Sequence, residues 1–303
     1  MYNVRNVAVT QAFGLWSQED IKMRIGFIGA GKVGFTLGRY FRDNGLDVSG
    51  YYCRNIQSST EAARFTRTKV FAEPEELVSE CDVIFFAVPD EAVRTTYYSI
   101  RGAGLSGKQL CHCSGSMSAA EAFPEAKKYG ASCCTLEPLY PISSKYDSFK
   151  NLSKAFFCIE GDSNCAREWQ ERLEKMGNRT KLIAASDKNS YSAACALFSD
   201  LVCAVAGESI SLMEKFGFTE KEALTAFEPI VMSRIKNIFA LGPSRVLNGP
   251  VQTGDAVTVR KHIKSFDTGT DRDFYKAVER KVLEITEKKH TDKDYSEMRR
   301  ILR

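Results

Sequence analysis

A strong charge of either sign is missing from this chain of 303 residues. Its 42 lysines and arginines nearly balance 38 aspartates and glutamates, which leaves a net charge of +4. No basic run is interleaved with aromatic residues, as nucleic-acid-binding surfaces usually require. Nor is any apolar run expected to approach the roughly 20 residues that span a bilayer. The composition therefore argues against a nucleic-acid partner and against a membrane protein.

A metal-binding or disulfide pattern is also missing, although the chain has 10 cysteines. No Cys-x-x-Cys occurs, and Cys111, His112 and Cys113 lie on a predicted strand whose neighbours alternate between faces. Most other cysteines fall in apolar runs, where a thiol behaves as a small core residue. The first residues do not resemble a secretory signal. We therefore predict no metal site, and reduced thiols in the cytoplasm.

A glycine-rich turn is the most informative feature that the chain does contain. An apolar strand over residues 23–28 runs into Gly29-x-Gly31-x-x-Gly34, and a helical pattern of apolar residues follows at once. Gly29 suits a tight turn, Gly31 lets the backbone approach a pyrophosphate, and Gly34 allows close packing of helix on strand. The alternative is a turn between strand and helix that binds nothing. The predicted cofactor-binding turn comprises Gly29, Ala30, Gly31, Lys32, Val33 and Gly34.

The end of the second predicted strand, residues 46–52, indicates which dinucleotide this turn would bind. An NAD site usually has an acid about 20 residues after the last glycine, where it accepts a hydrogen bond from the ribose. This chain has Arg54 followed by Asn55 in that place. Because a guanidinium offers a planar fork to a phosphate group, we predict NADP as the cofactor, with NAD less favoured. The alternative is an ordinary exposed loop arginine.

Strands and helices alternate through the N-terminal half. Further strands are predicted at residues 69–71, 82–88, 109–113, 131–136, 155–160 and 179–183. Such alternation is typical of an α/β fold with a doubly wound parallel Rossmann sheet, whose ligands lie beyond the carboxyl ends of the strands. We assign residues 23–184 to this nucleotide-binding domain. Residues 1–22 precede the pattern and form a predicted N-terminal extension.

Residues 185–303 form a predicted helical domain for substrate binding and dimerisation. Residues 186–216 are predicted as one long helix with apolar or small residues on nearly every side. Thr219 and Glu222 have the spacing of a capping box at the start of the next helix. A helix that is apolar all round must be covered all round, which predicts a homodimer. The alternative is a monomer in which the later helices wrap the long one.

Together these motifs resemble those of a bacterial family with a Rossmann-like domain and a helical C-terminal domain of unknown function, number 2520. Its most specific motif is Gly-Pro-Val-Gln-Thr-Gly-Asp at residues 249–255. The other motifs are Gly-Ala-Gly-Lys-Val-Gly at 29–34, Tyr-Cys-Arg-Asn at 52–55, Val-Pro-Asp at 88–90, Cys-Ser-Gly-Ser-Met-Ser at 113–118 and Leu-Glu-Pro-Leu-Tyr-Pro at 136–141.

More distantly, the arrangement is similar to pyrroline-5-carboxylate reductase, ketopantoate reductase and the deazaflavin-dependent NADP reductases. The resemblance implies an NADP-dependent oxidoreductase that reduces a small carbonyl or imine between its two domains. Three positions depart from the expected pattern: Glu137 and Ser192 stand where histidines are expected, and Asp200 stands for asparagine. These departures argue against a histidine-based mechanism and indicate a different substrate.

The candidate catalytic residues are Ser114, Glu137 and Asp200. Glu137 is predicted to end a strand, where screening from water would raise its pKa and suit it to acid–base work; a structural ion pair is the alternative. Further cofactor contacts are predicted at strand ends, at Val88, Pro89, Asp90 and Gly115. Predicted substrate contacts are Tyr140, Tyr191, Ser199, Pro250, Thr253 and Asp255. The alternative function is a non-catalytic dinucleotide-binding sensor or regulatory protein.

Overall fold

The computed structural model describes residues 23–303, which fold into two compact units that divide between Ala196 and Leu197. The predicted N-terminal extension, residues 1–22, lies outside the described residues. The first unit contains a β-sheet with its covering helices, and the second is helical. The domain boundary predicted after residue 184 therefore lies before the last helix of the first unit.

Eight strands build the sheet of the first unit. They are β1 (Arg24–Ile28), β2 (Asp47–Tyr52), β3 (Lys69–Val70), β4 (Val83–Phe86), β5 (Gln109–His112), β6 (Ser132–Leu139), β7 (Phe156–Gly161) and β8 (Arg179–Leu182). Their order across the sheet is β3-β2-β1-β4-β5-β6-β7-β8. The chain turns to opposite sides of β1 after β1 and after β3. This switch point is where doubly wound sheets bind their ligands.

The predicted parallel sheet is confirmed for all neighbouring strands except one pair. β7 runs antiparallel to β6, with Glu137 opposite Cys158. No α-helical crossover lies between these two strands; a loop and a short 3₁₀ helix (Ser148–Lys154) join them, so the chain returns in the opposite direction. This pairing also extends β6 to Leu139. Glu137, which was predicted to end the strand, therefore lies within β6, two residues before its last residue.

Seven α-helices lie in the described part of the first unit, from residue 23 onward. They are α1 (Lys32–Asp43), α2 (Ile56–Thr66), α3 (Pro74–Glu80), α4 (Asp90–Ile100), α5 (Ala119–Ala122), α6 (Ser163–Lys175) and α7 (Lys188–Leu197), the last of which ends at the division between the units.

Apolar side chains cover both faces of the sheet, and β4 is buried along its whole length. On one face the ring of Phe85 lies 5.1 Å from those of Phe27 and Trp169, measured between centroids. On the other face Phe86 packs against Phe123 at 4.8 Å. A strand that is apolar on both sides belongs in the middle of such a sheet, as the sequence predicted.

The second unit continues with seven helices. They are α8 (Asp200–Glu214), α9 (Glu220–Leu241), α10 (Pro243–Val246), α11 (Pro250–Thr253), α12 (Ala256–Lys264), α13 (Gly269–Lys289) and α14 (Ser296–Ile301). The predicted capping box is present at the start of α9, where Thr219 and Glu222 exchange hydrogen bonds. A core of α11–α14 residues, including Val251, Val259 and Leu302, is fully buried.

The single long helix predicted over residues 186–216 is interrupted. α7 ends at Leu197 and α8 begins at Asp200, because Ser199 adopts a non-helical backbone with φ −123° and ψ −87°. By length and composition alone, Ala185–Glu214 is apolar enough to cross a membrane. The expectation that no stretch approaches this length is therefore wrong, since small residues such as alanine and cysteine add to its apolar character. One such stretch is weak evidence for a membrane.

Candidate functional site

The glycine-rich turn has the geometry that a dinucleotide needs. Gly29 has a φ of +104°, and a Cβ there would overlap the carbonyl oxygen of Ala87. A Cβ on Gly34 would lie 2.5 Å from the Gly29 oxygen, so only glycine allows this packing of α1 on β1. Gly31 is different, because the nearest atom to its Cβ would be Ala87 O at 3.9 Å. The open space at Gly31 leaves room for a phosphate group.

The start of α1 carries no side-chain cap. Gly31 is its N-cap residue and has no side chain to accept from the first backbone N–H groups. The first turn of the helix also contains no acidic residue. These N–H groups and the positive end of the helix dipole are therefore available to an anion.

A cavity of about 570 Å³ lies beside this turn, at the carboxyl ends of β1, β2 and β4. Seven of the predicted cofactor residues line it: Gly29, Ala30, Gly31, Arg54, Asn55, Val88 and Pro89. Five others lie outside its wall: Lys32, Val33, Gly34, Asp90 and Gly115. Of these, Lys32, Val33 and Gly34 form the first turn of α1. We call this cavity the nucleotide cleft.

Two cations line the nucleotide cleft. The Arg54 side chain is exposed and makes no ion pair within residues 23–303. Lys145, from the loop after β6, was not predicted; its Nζ lies 2.9 Å from the carboxylate of Glu61 and 5.4 Å from the centroid of the Phe35 ring. No local motif marks Lys145, because it reaches the cleft from a loop about 90 residues after Arg54. Asn55 caps α2 by accepting from the backbone N–H of Gln57 at 3.0 Å.

A chain of polar contacts connects the ends of β4 and β5. The Ser114 hydroxyl donates to Asp90 at 2.5 Å. The same oxygen accepts from the backbone N–H groups of Ser116 and Met117, at 3.2 and 3.1 Å. The hydroxyl of Ser114 is therefore fully used in shaping this loop, which leaves it poorly placed for proton transfer to a ligand.

A buried lysine that the sequence analysis missed lies at the centre of these contacts. Lys188, the first residue of α7, has a side chain that is 2% exposed. Its Nζ donates to the backbone oxygen of Ser114 at 2.8 Å and to the hydroxyl of Thr135 at 3.5 Å. It lies 3.9 Å from a carboxylate oxygen of Glu137. The signal in the sequence was a single lysine at the start of a helix that contains no other charged residue.

One carboxylate oxygen of Glu137 faces the Lys188 ammonium without a hydrogen-bond partner in the described residues. This oxygen, Oε2, is buried, and the Tyr191 hydroxyl is in the same condition. Burial raises the pKa of Glu137 above its ordinary value, and the charge of Lys188 opposes the rise. Burial and then the Glu137 carboxylate raise the pKa of Tyr191, which keeps that hydroxyl protonated. Buried polar atoms without partners often face a ligand or water.

The backbone beside Glu137 is shaped to admit its carboxylate. A Cβ on Gly115 would lie within 3 Å of all three carboxyl atoms of Glu137, so a larger residue would displace the carboxylate from this position. Gly115 thus makes room for the carboxylate instead of lining the nucleotide cleft. We call Glu137, Lys188 and Tyr191 the buried acid cluster.

His112 lies next to this cluster but is neutral. It is fully buried on β5, and its Nδ1 accepts from the backbone N–H of Ser114 at 3.2 Å. Burial, followed by the charge of Lys188, lowers the pKa of His112 to about 4. This position agrees with the prediction that His112 lies on a strand.

Three cysteines meet in the core, which their spacing did not predict. The sulfur atoms of Cys111, Cys134 and Cys165 lie within 4.8 Å of one another. Cys134 is 3.5 Å from Cys111 and 3.3 Å from Cys165, between Sγ atoms. They come from β5, β6 and α6, and all three belong to the apolar core. We interpret them as core packing, in which free thiols behave as small apolar residues.

The remaining candidate residues lie in local structures of their own. Asp200 is exposed and is the first residue of α8, whereas a position in the middle of one long helix was expected. Asp255 caps α12 by accepting from the N–H and hydroxyl of Thr258, at 3.0 and 2.6 Å. Pro250 starts α11, and the Thr253 hydroxyl donates to its carbonyl at 3.2 Å. Their roles towards a substrate, with those of Tyr140 and Ser199, stay predictions.

Two families match different parts of the chain. Residues 155–282 match the family described as Domain of unknown function (DUF2520). Residues 24–114, which precede the DUF2520 region, match the family described as NADP oxidoreductase coenzyme F420-dependent. The resemblance predicted from the sequence is confirmed, and the nucleotide-binding half matches a family of NADP oxidoreductases, as predicted.

Solved structures share the fold of this chain. A protein from Thermotoga maritima is 20% identical, with a TM-score of 0.71 over 88% of this chain and 99% of its own. An imine reductase variant from Myxococcus stipitatus in complex with NAD+ is 16% identical, with a TM-score of 0.62 over 93% and 100%.

A pyrroline-5-carboxylate reductase from Coxiella burnetii is 14% identical, with a TM-score of 0.53 over 87% of this chain and 93% of its own. At these identities the likeness shows the fold alone, a Rossmann-like sheet followed by a helical region. No curated protein sequence matches the chain.

Proposed function

We propose that this protein is an NADP-dependent reductase of a small imine or carbonyl compound. The observation that carries the proposal is the buried acid cluster, in which the Glu137 carboxylate lies 3.9 Å from the Lys188 ammonium. Within the described residues, neither Oε2 of Glu137 nor the Tyr191 hydroxyl has a hydrogen-bond partner. Reduction of an imine needs a hydride and a proton, and such a cluster is suited to deliver the proton. The cofactor, when bound, supplies the hydride.

The nucleotide cleft fits a dinucleotide phosphate. Gly31 leaves space that any larger side chain would fill, and the uncapped start of α1 offers backbone donors to the pyrophosphate. Arg54 and Lys145 provide two cations in the wall of the same cleft. A second phosphate on the adenosine ribose would explain why an arginine occupies the place where NAD sites carry an acid. This favours NADP over NAD.

Within the buried acid cluster, Glu137 is the proposed catalytic acid. Its raised pKa keeps it closer to protonation than an exposed glutamate, and its side chain is 17% exposed and so reachable. Lys188 is a positioning residue, because its ammonium is held by Ser114 and Thr135 and fixes the carboxylate. The protonated Tyr191 hydroxyl would orient the substrate. Ser114 shapes the loop and is no longer proposed as a proton carrier.

The second unit supports the predicted homodimer. Large apolar side chains on α8 and α9 are exposed in the single chain, among them Met232 at 62% and Phe239 at 74%. Contiguous apolar surface of this kind usually marks a protein interface. A two-fold contact between copies of α8 and α9 would cover it. We further propose that the protein is cytoplasmic.

The proposed activity is tested by following NADPH oxidation with a panel of cyclic imines and ketones. We expect wild-type protein to reduce at least one of them, and Glu137→Gln to lower kcat by roughly 10²- to 10⁴-fold, the usual contribution of a general acid. NADPH affinity should not change in this variant, because Glu137 lies outside the nucleotide cleft. Tyr191→Phe should mainly raise KM.

Lys188→Met distinguishes positioning from a purely structural role. Activity should fall as pH rises through the pKa of Glu137, since the acid must be protonated. Without the lysine charge that opposes its rise, this pKa moves higher, so the decline in kcat should shift to higher pH. NADPH binding without oxidation by any imine or ketone would instead support a non-catalytic sensor. An unchanged kcat in Glu137→Gln would also contradict the proposal.

A further inference from the structure

A second cavity lies entirely within the helical unit. It has a volume of about 580 Å³ and is bounded by one face of α9 and by the segment from α10 to Asn248. The residues that α9 contributes, such as Ile230, Arg234, Asn237 and Leu241, recur every three or four positions and so share one face. We call this the α9 cavity. The nucleotide cleft and the buried acid cluster contribute no residue to it.

Arg234 fixes the wall of the α9 cavity. Its guanidinium donates to the backbone oxygen of Val246 and, at 2.8 Å, to the side-chain oxygen of Asn248. Two bonds from one rigid fork hold the segment after α10 against α9. The cavity is therefore formed by a tethered segment that immediately precedes the Gly-Pro motif at residues 249–255.

Ser233, Asn237 and Arg245 are exposed polar residues of the cavity wall. Within residues 23–303, the side chains of Asn237 and Arg245 make no hydrogen bond or ion pair, and no aspartate or glutamate lines the α9 cavity. An arginine that lacks a carboxylate partner, next to a free carboxamide, presents several donors to whatever enters. The other lining groups include apolar side chains of Ile230, Leu241 and Leu247. Donors on one side and aliphatic surface on the other suit an anion with an apolar body.

Ile230 and Leu241 of the α9 cavity are themselves exposed, but other exposed apolar residues of α9 lie away from it. Val231, Met232 and Phe239 are exposed apolar residues of α9, but they are absent from the cavity wall. Their spacing puts them on another face of the helix than Arg234 and Asn237. A second copy of the chain on that face would leave the α9 cavity open to a small molecule.

We infer that the α9 cavity is a binding site for a small organic carboxylate, with Arg245 and Asn237 holding the carboxylate and the aliphatic side chains holding its carbon chain. A guanidinium binds a carboxylate through two parallel hydrogen bonds. This ligand site is separate from the reductase proposal, since it needs neither NADPH nor the buried acid cluster.

The test measures binding of hexanoate, hexanamide and inorganic phosphate to the full chain by ligand-observed NMR. Hexanoate should bind, and hexanamide, which has the same chain without the charge, should bind roughly tenfold more weakly. Arg245→Gln should weaken hexanoate by a similar factor and leave hexanamide unchanged. Lys236→Gln removes a charge from the same helix outside the cavity wall and should leave hexanoate binding at the wild-type level.

Several results would overturn the inference. They are no hexanoate binding by the wild type, equal binding of hexanoate and hexanamide, or wild-type affinity in a folded Arg245→Gln. Phosphate binding as strong as hexanoate binding would also overturn it, because the aliphatic wall would then contribute nothing. Circular dichroism on each variant establishes that the helices are intact.

Discussion

Three titratable side chains are kept from water at one end of the sheet. His112 and Lys188 are almost completely buried, and Glu137 is mostly so. Burial favours the uncharged form of His112 and Glu137, so folding changes their proton affinities. Stability should therefore depend on pH through these residues.

Stability should fall at acid pH because of His112. Its pKa is lowered from 6.5 to about 4 in the folded protein, so its contribution is fully present above pH 6.5 and lost as pH falls towards 4. The shift corresponds to about 3 kcal/mol at most. We expect the difference in unfolding free energy between pH 7 and pH 4.5 to be smaller in His112→Asn than in the wild type. Urea titration at both pH values measures it.

The control for this prediction is His262→Asn, which changes an exposed histidine on α12 and retains His112. It should lose stability with falling pH as the wild type does. Equal pH dependence in His112→Asn and the wild type would show that the buried histidine does not contribute.

The role of a residue could be predicted from the sequence where its neighbours in the chain also form the site. The three glycines of the turn and Arg54 follow one another along a strand–turn–helix–strand unit, so their spacing alone places them at one site. Lys145 and Lys188 reach the first unit's sites from distant loops and helices. Only the folded sheet brings Lys145 near Phe35 and Lys188 near Glu137. These contacts could not be predicted, because the residues are far apart in the sequence.

At the scale of elements, the junction of β1 and α1 allows two glycines to be compared. Gly31→Val should leave the fold intact, because its Cβ meets only Ala87 O at 3.9 Å and its φ is −69°. The larger side chain would fill the space of the pyrophosphate. We expect NADPH to bind at least roughly tenfold more weakly, with stability changed by no more than about 1 kcal/mol.

Gly34→Val is the matched control on the same turn. Its Cβ would lie 2.5 Å from Gly29 O and 2.8 Å from Ala87 Cβ, so this variant should lose stability. Thermal unfolding and NADPH titration of both variants separate packing from binding. A folded Gly31→Val that keeps wild-type affinity would show that the turn does not hold phosphates.

Element types were predictable from periodicity, whereas two boundaries were not. The alternating strands and helices and the capping box at Thr219 have local signals. The break between α7 and α8 has none, because residues 197–199 contain neither glycine nor proline. The antiparallel direction of β7 likewise depends on the path of a loop rather than on the composition of the strand.

At the scale of the whole molecule, exposed apolar surface on α8 and α9 predicts self-association. Light scattering at micromolar concentration should give about twice the chain mass of 33.8 kDa. Met232→Glu places a charge in this surface and should shift the mass towards one chain. Tyr98→Glu, at an exposed position of the first unit, should leave the dimer unchanged.

A wild-type mass near that of one chain would contradict the homodimer, and so would an undisturbed dimer in Met232→Glu combined with Phe239→Glu. The helical composition of the second unit could be predicted from the sequence, but which helix faces are buried could not. Burial of a helix face depends on packing against helices that are distant in the sequence.

We expect the nucleotide cleft to bind NADPH in preference to NADH, with Arg54 and Lys145 providing the preference. Titration of both cofactors by fluorescence with wild type, Arg54→Ala and Lys145→Ala measures this preference. Wild type should bind NADPH more tightly by roughly tenfold or more, the value of a charge-assisted pair. Arg54→Ala should lose most of this preference while NADH affinity stays the same, with a smaller loss in Lys145→Ala. Tighter binding of NADH by the wild type, or an unchanged preference in Arg54→Ala, would contradict this expectation.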